Sequence, residues 1–136
     1  MNSQKLLLRE MLIKKIMRHG KRQTSEKIVN SLESDFGGWE LIEQGIEKAS
    51  PKIITRSLKR GASRYQVPVI ISQERQYRIG LQWLVQAARR KNRRGIKNAL
   101  LTEIRDLHKE QGSTWKKKME VHKMALANRA WLNYRW

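Results

Sequence analysis

The sequence has no cysteine, so disulfides, thiolate zinc sites and cysteine nucleophiles are all excluded. Proline is nearly absent, with only Pro51 and Pro68, and acids are scarce: twelve Asp and Glu against thirty Lys and Arg. No uninterrupted apolar run approaches the ~18 residues of a membrane-spanning helix. The three histidines, His19, His108 and His122, lack the spacing of a His-Glu-x-x-His zinc motif. Gly37-Gly38 is not followed by the Lys-Ser/Thr of a phosphate-cradling loop and reads as a turn.

What remains is a strongly basic chain. Its 136 residues suffice for one domain with a real core, and 39% of them are hydrophobic. The net charge of +18 makes the free protein self-repelling, and a polyanionic partner is the natural counterweight. With no membrane span, nucleic acid is favoured over an acidic membrane as that partner. Residues 33–47 hold five acids (Glu33, Asp35, Glu40, Glu43, Glu47) and no base, and read as a solvated helix face. The basic, amphipathic start of the chain has the composition of an organellar transit peptide, but Glu10 lies inside it and its periodicity runs into folded-domain signals.

Periodicity predicts a mainly α fold of six helices. The first spans about residues 4–18, with Leu12, Ile13, Ile16 and Met17 on one side, Lys14, Lys15 and Arg18 on the other, and Gly20 at its end. The second begins near Thr24 or Ser25, whose hydroxyls suit an N-cap, and carries Ile28, Val29 and Leu32. After Gly37-Gly38, a third helix bears Leu41, Ile42 and Ile46 and stops before Pro51. Residues 52–59 and 64–71 are rich in Ile, Val, Thr and Tyr around Gly61-Ala62-Ser63, which predicts a two-stranded β-ribbon. Pro68 suits an edge strand, and a lone hairpin this size is marginally stable, so the arm is expected to project and be ordered by a partner.

The fourth helix, about residues 73–91, sets Tyr77, Leu81, Leu84 and Ala88 against a polar row of Arg75, Arg78, Gln82, Gln86, Arg89 and Arg93. The fifth uses Ile96, Leu100, Ile104 and Leu107. Ser113 is expected to cap a sixth with Trp115, Met119, His122 and Leu126 on one face. Trp83 and Trp115 read as core. Glu103, Asp106 and Glu110 have helical spacing that could in principle hold Mg²⁺, but pairing with Arg105 or Lys109 is the simpler expectation. The sequence therefore predicts no enzyme, no metal site and no cofactor.

The basic clusters carry the expected function, since Arg binds phosphate bidentately and stacks on bases while Lys supplies point charge. Candidate RNA contacts are Lys14, Lys15, Arg18, Lys21 and Arg22 near the first turn, and Arg75, Arg78, Arg89, Arg90, Lys91, Arg93 and Arg94 on and after the fourth helix. Lys116, Lys117, Lys118, Lys123, Arg129, Arg135 and Trp136 extend the set along the C-terminal stretch, where Trp131 and Tyr134 interleave. Arg56, Lys59, Arg60, Arg64 and Tyr65 furnish the arm. An architectural DNA-binding protein with a basic β-arm is the main alternative. A metal-dependent nuclease using Glu103 and Asp106 is a more distant one.

Four collinear blocks resemble the small-subunit ribosomal protein seven family. They are Gly20-Lys21-Arg22 with Ile28-Val29; Pro51, Arg56-Ser57, Gly61 and Tyr65-Gln66-Val67-Pro68-Val69; Glu74-Arg75, Leu81, Trp83-Leu84 and Ala87-Ala88-Arg89; and Lys116-Lys117-Lys118, His122-Lys123-Met124-Ala125 and Ala127-Asn128-Arg129-Ala130 before Tyr134-Arg135-Trp136. The resemblance implies a six-helix domain with a protruding ribbon. It also implies primary binding to small-subunit ribosomal RNA, nucleation of the subunit head, neighbouring head proteins as partners, and an arm near the exit-site tRNA and the mRNA exit. Three departures stand out: the basic, proline-containing segment before the first helix is missing, Leu58 replaces a usually basic residue, and Gln82 replaces Arg. The trimmed ends imply an organellar, mitochondrial version.

Overall fold

The computed structural model describes residues 3–91 and 95–129 of the chain. The elements run α1 (Ser3–Ile16), α2 (Arg22–Asp35), α3 (Glu40–Ala49), β1 (Ile53–Arg60), β2 (Ser63–Ile70), α4 (Gln73–Arg90), α5 (Ile96–His108) and α6 (Gly112–Ala127). The predicted mainly α fold with a ribbon between the third and fourth helices is the one observed.

Helix α4 is the axis of the body, packed against α1, α3, α5 and α6. Its predicted apolar stripe, Tyr77, Leu81, Leu84 and Ala88, is buried, and Ile42, Ile46, Leu100, Ile104 and Leu107 close around it. Leu8, Leu12, Ile13 and Ile16 of α1 belong to the same core, so the amphipathic start of the chain is part of the folded body and not an appendage to it. Among the described residues no helix is long and apolar enough to cross a membrane.

The helix starts depart from expectation. Helix α2 begins at Arg22, with Lys21 at the N-cap and no capping side chain. The Ser25 hydroxyl instead donates back to the Lys21 carbonyl at 3.5 Å. Helix α6 begins at Gly112 after Gln111, not at a Ser113 cap. Its buried residues are Thr114, Lys118 and Ala125, a face rotated by one position from the predicted one, which leaves Met119 and Leu126 exposed. The rotation follows from neighbours that periodicity does not see. Both strands of the ribbon lie against α6, and α3 offers a carbonyl to Lys118.

The strands pair antiparallel from Ile53↔Ile70 to Arg60↔Ser63, so the turn is Gly61-Ala62 and Ser63 is already strand. Gly61 has φ +66°, the left-handed backbone that a two-residue hairpin turn requires. The base of the arm is anchored by the buried Val67 and Ile71 and by the Lys52 N–H, which donates to His122 Nε2 at 3.1 Å. Leu58 lies opposite Tyr65. Both are half-buried, so the residue that departs from the usual basic one forms an apolar-aromatic cross-strand pair. At the tip Lys59 stands directly opposite Arg64, two like charges across the strands, an arrangement that destabilises an isolated ribbon.

Candidate nucleic-acid interface

The structure separates basic residues turned to solvent from basic residues held by acceptors of the protein's own. Arg56, Lys59, Arg60 and Arg64 on the arm are exposed, and Tyr65 is half-buried. On α4, Arg75, Arg78, Gln82 and Gln86 form an exposed row as expected, with Arg78 in an i,i+4 pair with Glu74 at 3.2 Å. Such an exposed pair is worth little and yields readily to a phosphate. Arg90 is exposed just beyond.

On α6, Lys116, Lys117 and Lys123 are exposed, as is Arg129 after it. The Lys117 ammonium lies 5.8 Å from the Trp83 ring centroid, which carries the basic run of α6 to the flank of the α4 row. Trp83 and Trp115, expected in the core, are only half-buried. Among the tryptophans of the described residues, it is Trp39, ahead of α3, that is almost wholly buried. Arg93, Arg94, Trp131, Tyr134, Arg135 and Trp136 lie outside the described residues.

Four of the expected phosphate contacts are engaged internally. Arg22 holds Glu10 at 2.6 Å and Glu26 at 2.8 Å, which pulls the Glu10 carboxyl below its ordinary range and pushes Arg22 up. Arg89 leaves the α4 row and donates to the Lys15 and Ile16 carbonyls at 3.0 and 3.2 Å. A cation thereby satisfies the free carbonyls at the end of α1. Burial, with a smaller contribution from Arg18, lowers its pKa.

Lys91 pairs with Glu103 at 2.8 Å. Glu103 is fully buried and also accepts from the Thr114 hydroxyl at 3.3 Å, so the expected partners Arg105 and Lys109 are displaced by a residue from the preceding helix end. Lys118 is 9% exposed, donates to the Lys48 carbonyl at 2.9 Å, and lies 5.2 Å from the Trp115 ring centroid. Burial pushes its ammonium down from the ordinary lysine value, helped by Lys52.

The acidic segment is less solvated than expected. Glu33 faces Lys5 at 3.6 Å and Arg9 at 3.9 Å, and Asp35 meets Lys97 at 2.9 Å, tying α2 to α1 and α5. Sequence reasoning missed these ties because all of them join distant segments. Among the described residues no group of three or more His, Asp or Glu is arranged to hold a metal ion.

A helical body with a cationic ribbon, an arginine row and basic runs on its surface defines a structural, polyanion-facing scaffold. The family described as Ribosomal protein S7p/S5e matches residues 2–129. The small ribosomal subunit protein uS7 of Helicobacter hepaticus is 39% identical over 130 residues, covering 91% of this chain and 84% of the relative. Those of Chlamydia pneumoniae and Prochlorococcus marinus subsp. pastoris are 37% and 38% identical, covering 93% and 95% of this chain and 85% and 86% of theirs. The chain belongs to the S7p/S5e family of ribosomal proteins, which are structural and not enzymatic.

Proposed function

We propose that the protein is a primary binder of small-subunit ribosomal RNA that nucleates assembly of the subunit head. In this reading the body docks by α1, α4 and α6, and the arm reaches toward the exit-site tRNA and the mRNA exit. Neighbouring head proteins complete its surroundings. Family membership supports the ribosomal setting. The observation that carries RNA as the ligand is the exposed α4 row of Arg75, Arg78, Gln82 and Gln86, bordered by Lys117 on Trp83 and continued by an arm whose tip sets Lys59 against Arg64. Phosphate contacts of this kind position the protein, while RNA shape and unpaired bases supply specificity.

The test is binding to a structured ribosomal RNA fragment across a salt series, with duplex DNA as competitor. If about six to ten phosphates are neutralised, affinity falls roughly 10³–10⁵-fold between about 50 and 200 mM salt. A flat salt response, or equal affinity for duplex DNA, refutes the proposal. The relatives named above are all bacterial and lend the organellar assignment no support. Fractionating the source cell and locating the small subunits that carry the protein decides the compartment.

A further inference from the structure

Where α1 ends, α2 begins and α4 ends, a cavity of about 200 Å³ opens to the surface. Three cationic side chains line it: Arg18, Lys21 and Arg89. Thr24 adds a hydroxyl, and Ile16, Ile28 and Ile96 supply apolar wall. No carboxylate is among its lining residues. Glu10 and Glu26 are both held by Arg22, the neighbour of Lys21. The basic triplet Gly20-Lys21-Arg22 is thus divided: Arg22 is neutralised and Lys21 is left to the cavity.

We propose that this cavity is a phosphate socket in which Arg18, Lys21 and Arg89 close together on a single phosphodiester of the RNA. The proposal rests on the RNA-binding reading above and specifies one of its contacts. Three arguments carry it. The first is electrostatic: like charges gathered in a partly desolvated recess raise the free energy of the unliganded protein, and an anion removes that cost. The effect registers on Arg89, whose pKa is depressed by burial and then by Arg18.

The second is preorganisation. Arg89 is fixed by the Lys15 and Ile16 carbonyls through one terminal nitrogen, and among the described residues no acceptor takes its Nε–H or its other terminal nitrogen. The loop is fixed as well: the Lys21 N–H donates to the Arg18 carbonyl at 3.1 Å across His19 and Gly20, both left-handed at φ +56° and +70°.

The third is size. A recess of about 200 Å³ that opens to the surface has room for a phosphate group with part of its ribose.

The socket makes a distinctive prediction, because two side chains on one phosphate do not act independently. Arg18→Gln, Lys21→Gln and the double variant are titrated with the ribosomal RNA fragment across the salt series. Counterion release counts phosphates and not cations, so on a shared phosphate each single variant keeps most of the log–log salt slope and the double variant loses no more than about 0.7–0.9. Separate phosphates lower the slope by about 0.7–0.9 in each single variant and about twice that in the double, which overturns the proposal, as does a double variant that binds the RNA as tightly as wild type.

A second measurement uses no RNA. In sulfate matched to chloride for ionic strength, the thermal midpoint of the wild type rises by roughly 3 °C more than that of the double variant. Comparing the two proteins removes the general stabilisation that sulfate gives any fold. Equal rises overturn the socket. If the wild type shows the excess rise in sulfate but binds the RNA without salt dependence, the socket stands as an anion site and the RNA-binding reading fails. Neither test uses an Arg89 variant, because that side chain also holds the end of α1.

Discussion

Lys91 and Glu103 form an ion pair of 2.8 Å in which the carboxylate is wholly buried and the ammonium is about half exposed. The pair joins the end of α4 to the middle of α5, with the basic stretch of residues 91–94 in between. The carboxylate raises the Lys91 pKa by hydrogen bonding, so the stability this adds is complete below the lysine's unfolded value and is lost as pH climbs through the raised folded one. Removing Lys91 strands a buried charge. Lys91→Met is expected to cost about 2 kcal/mol, below the ~3–5 kcal/mol of a fully buried pair because solvent reaches the ammonium. Urea denaturation measures it, and a change within ~0.5 kcal/mol contradicts the pairing.

Gly80 sits inside α4, where helix propensity alone favours Ala by about 1 kcal/mol. A Cβ there would lie 2.6 Å from the Ser50 hydroxyl oxygen and 2.9 Å from the Ser50 Cα. Since backbone is among the clashing atoms, Gly80→Ala is expected to destabilise by ~1–3 kcal/mol despite the better propensity. A thermal midpoint at or above wild type counts against this close approach of α3 and α4.

The His122 imidazole accepts from the Lys52 amide, which requires an unprotonated Nε2. Burial, then the charges of Lys118 and Lys52, lower its pKa. The unfolded chain therefore binds the proton more readily. The contribution is present above the unfolded value of about 6.5 and is lost as pH falls through the lowered folded one. Exchange of the Lys52 amide proton, corrected for its intrinsic pH dependence, is expected to lose protection over that range. His122→Gln is expected to flatten the response, and protection indifferent to pH in the wild type rules the contact out.

The arm tip carries charge that the body does not need for folding. Replacing Arg56, Lys59, Arg60 and Arg64 by Gln is expected to leave stability within about 0.5 kcal/mol, or to raise it by relieving the Lys59–Arg64 opposition. In the same variant the RNA salt slope is expected to fall by up to roughly 3. An unaltered slope removes the arm from the interface.

A charge-removal test of α4 belongs on Arg75 and Arg78 alone. Arg89→Ala is expected to cost ~1–2 kcal/mol through the lost carbonyl contacts at the end of α1, and so confuses folding with binding. Arg75→Gln/Arg78→Gln is expected to weaken RNA binding with the circular dichroism spectrum unchanged.

The architecture was legible because its signals are local. Periodicity placed the α4 stripe of Tyr77, Leu81, Leu84 and Ala88, and Gly61 with alternating β-formers placed the ribbon. Expectations failed where the deciding neighbour was remote in sequence. The α6 face turned by one residue because the ribbon and α3 lie against it. Glu103 took its partner from the end of α4, twelve positions away.

For the interface, the sequence determined the sign and amount of charge and the segments that bear it, since these are properties of composition and of local helix and strand geometry. Tertiary structure decided which cations remain available. Packing α1 against α4 puts Arg89 on backbone carbonyls, packing α1 against α2 brings Arg22 onto Glu10, and Lys118 is drawn under α3. A guanidinium or ammonium takes whichever acceptor the folded chain brings within about 3 Å, and that distance is set by how helices far apart in the sequence come together.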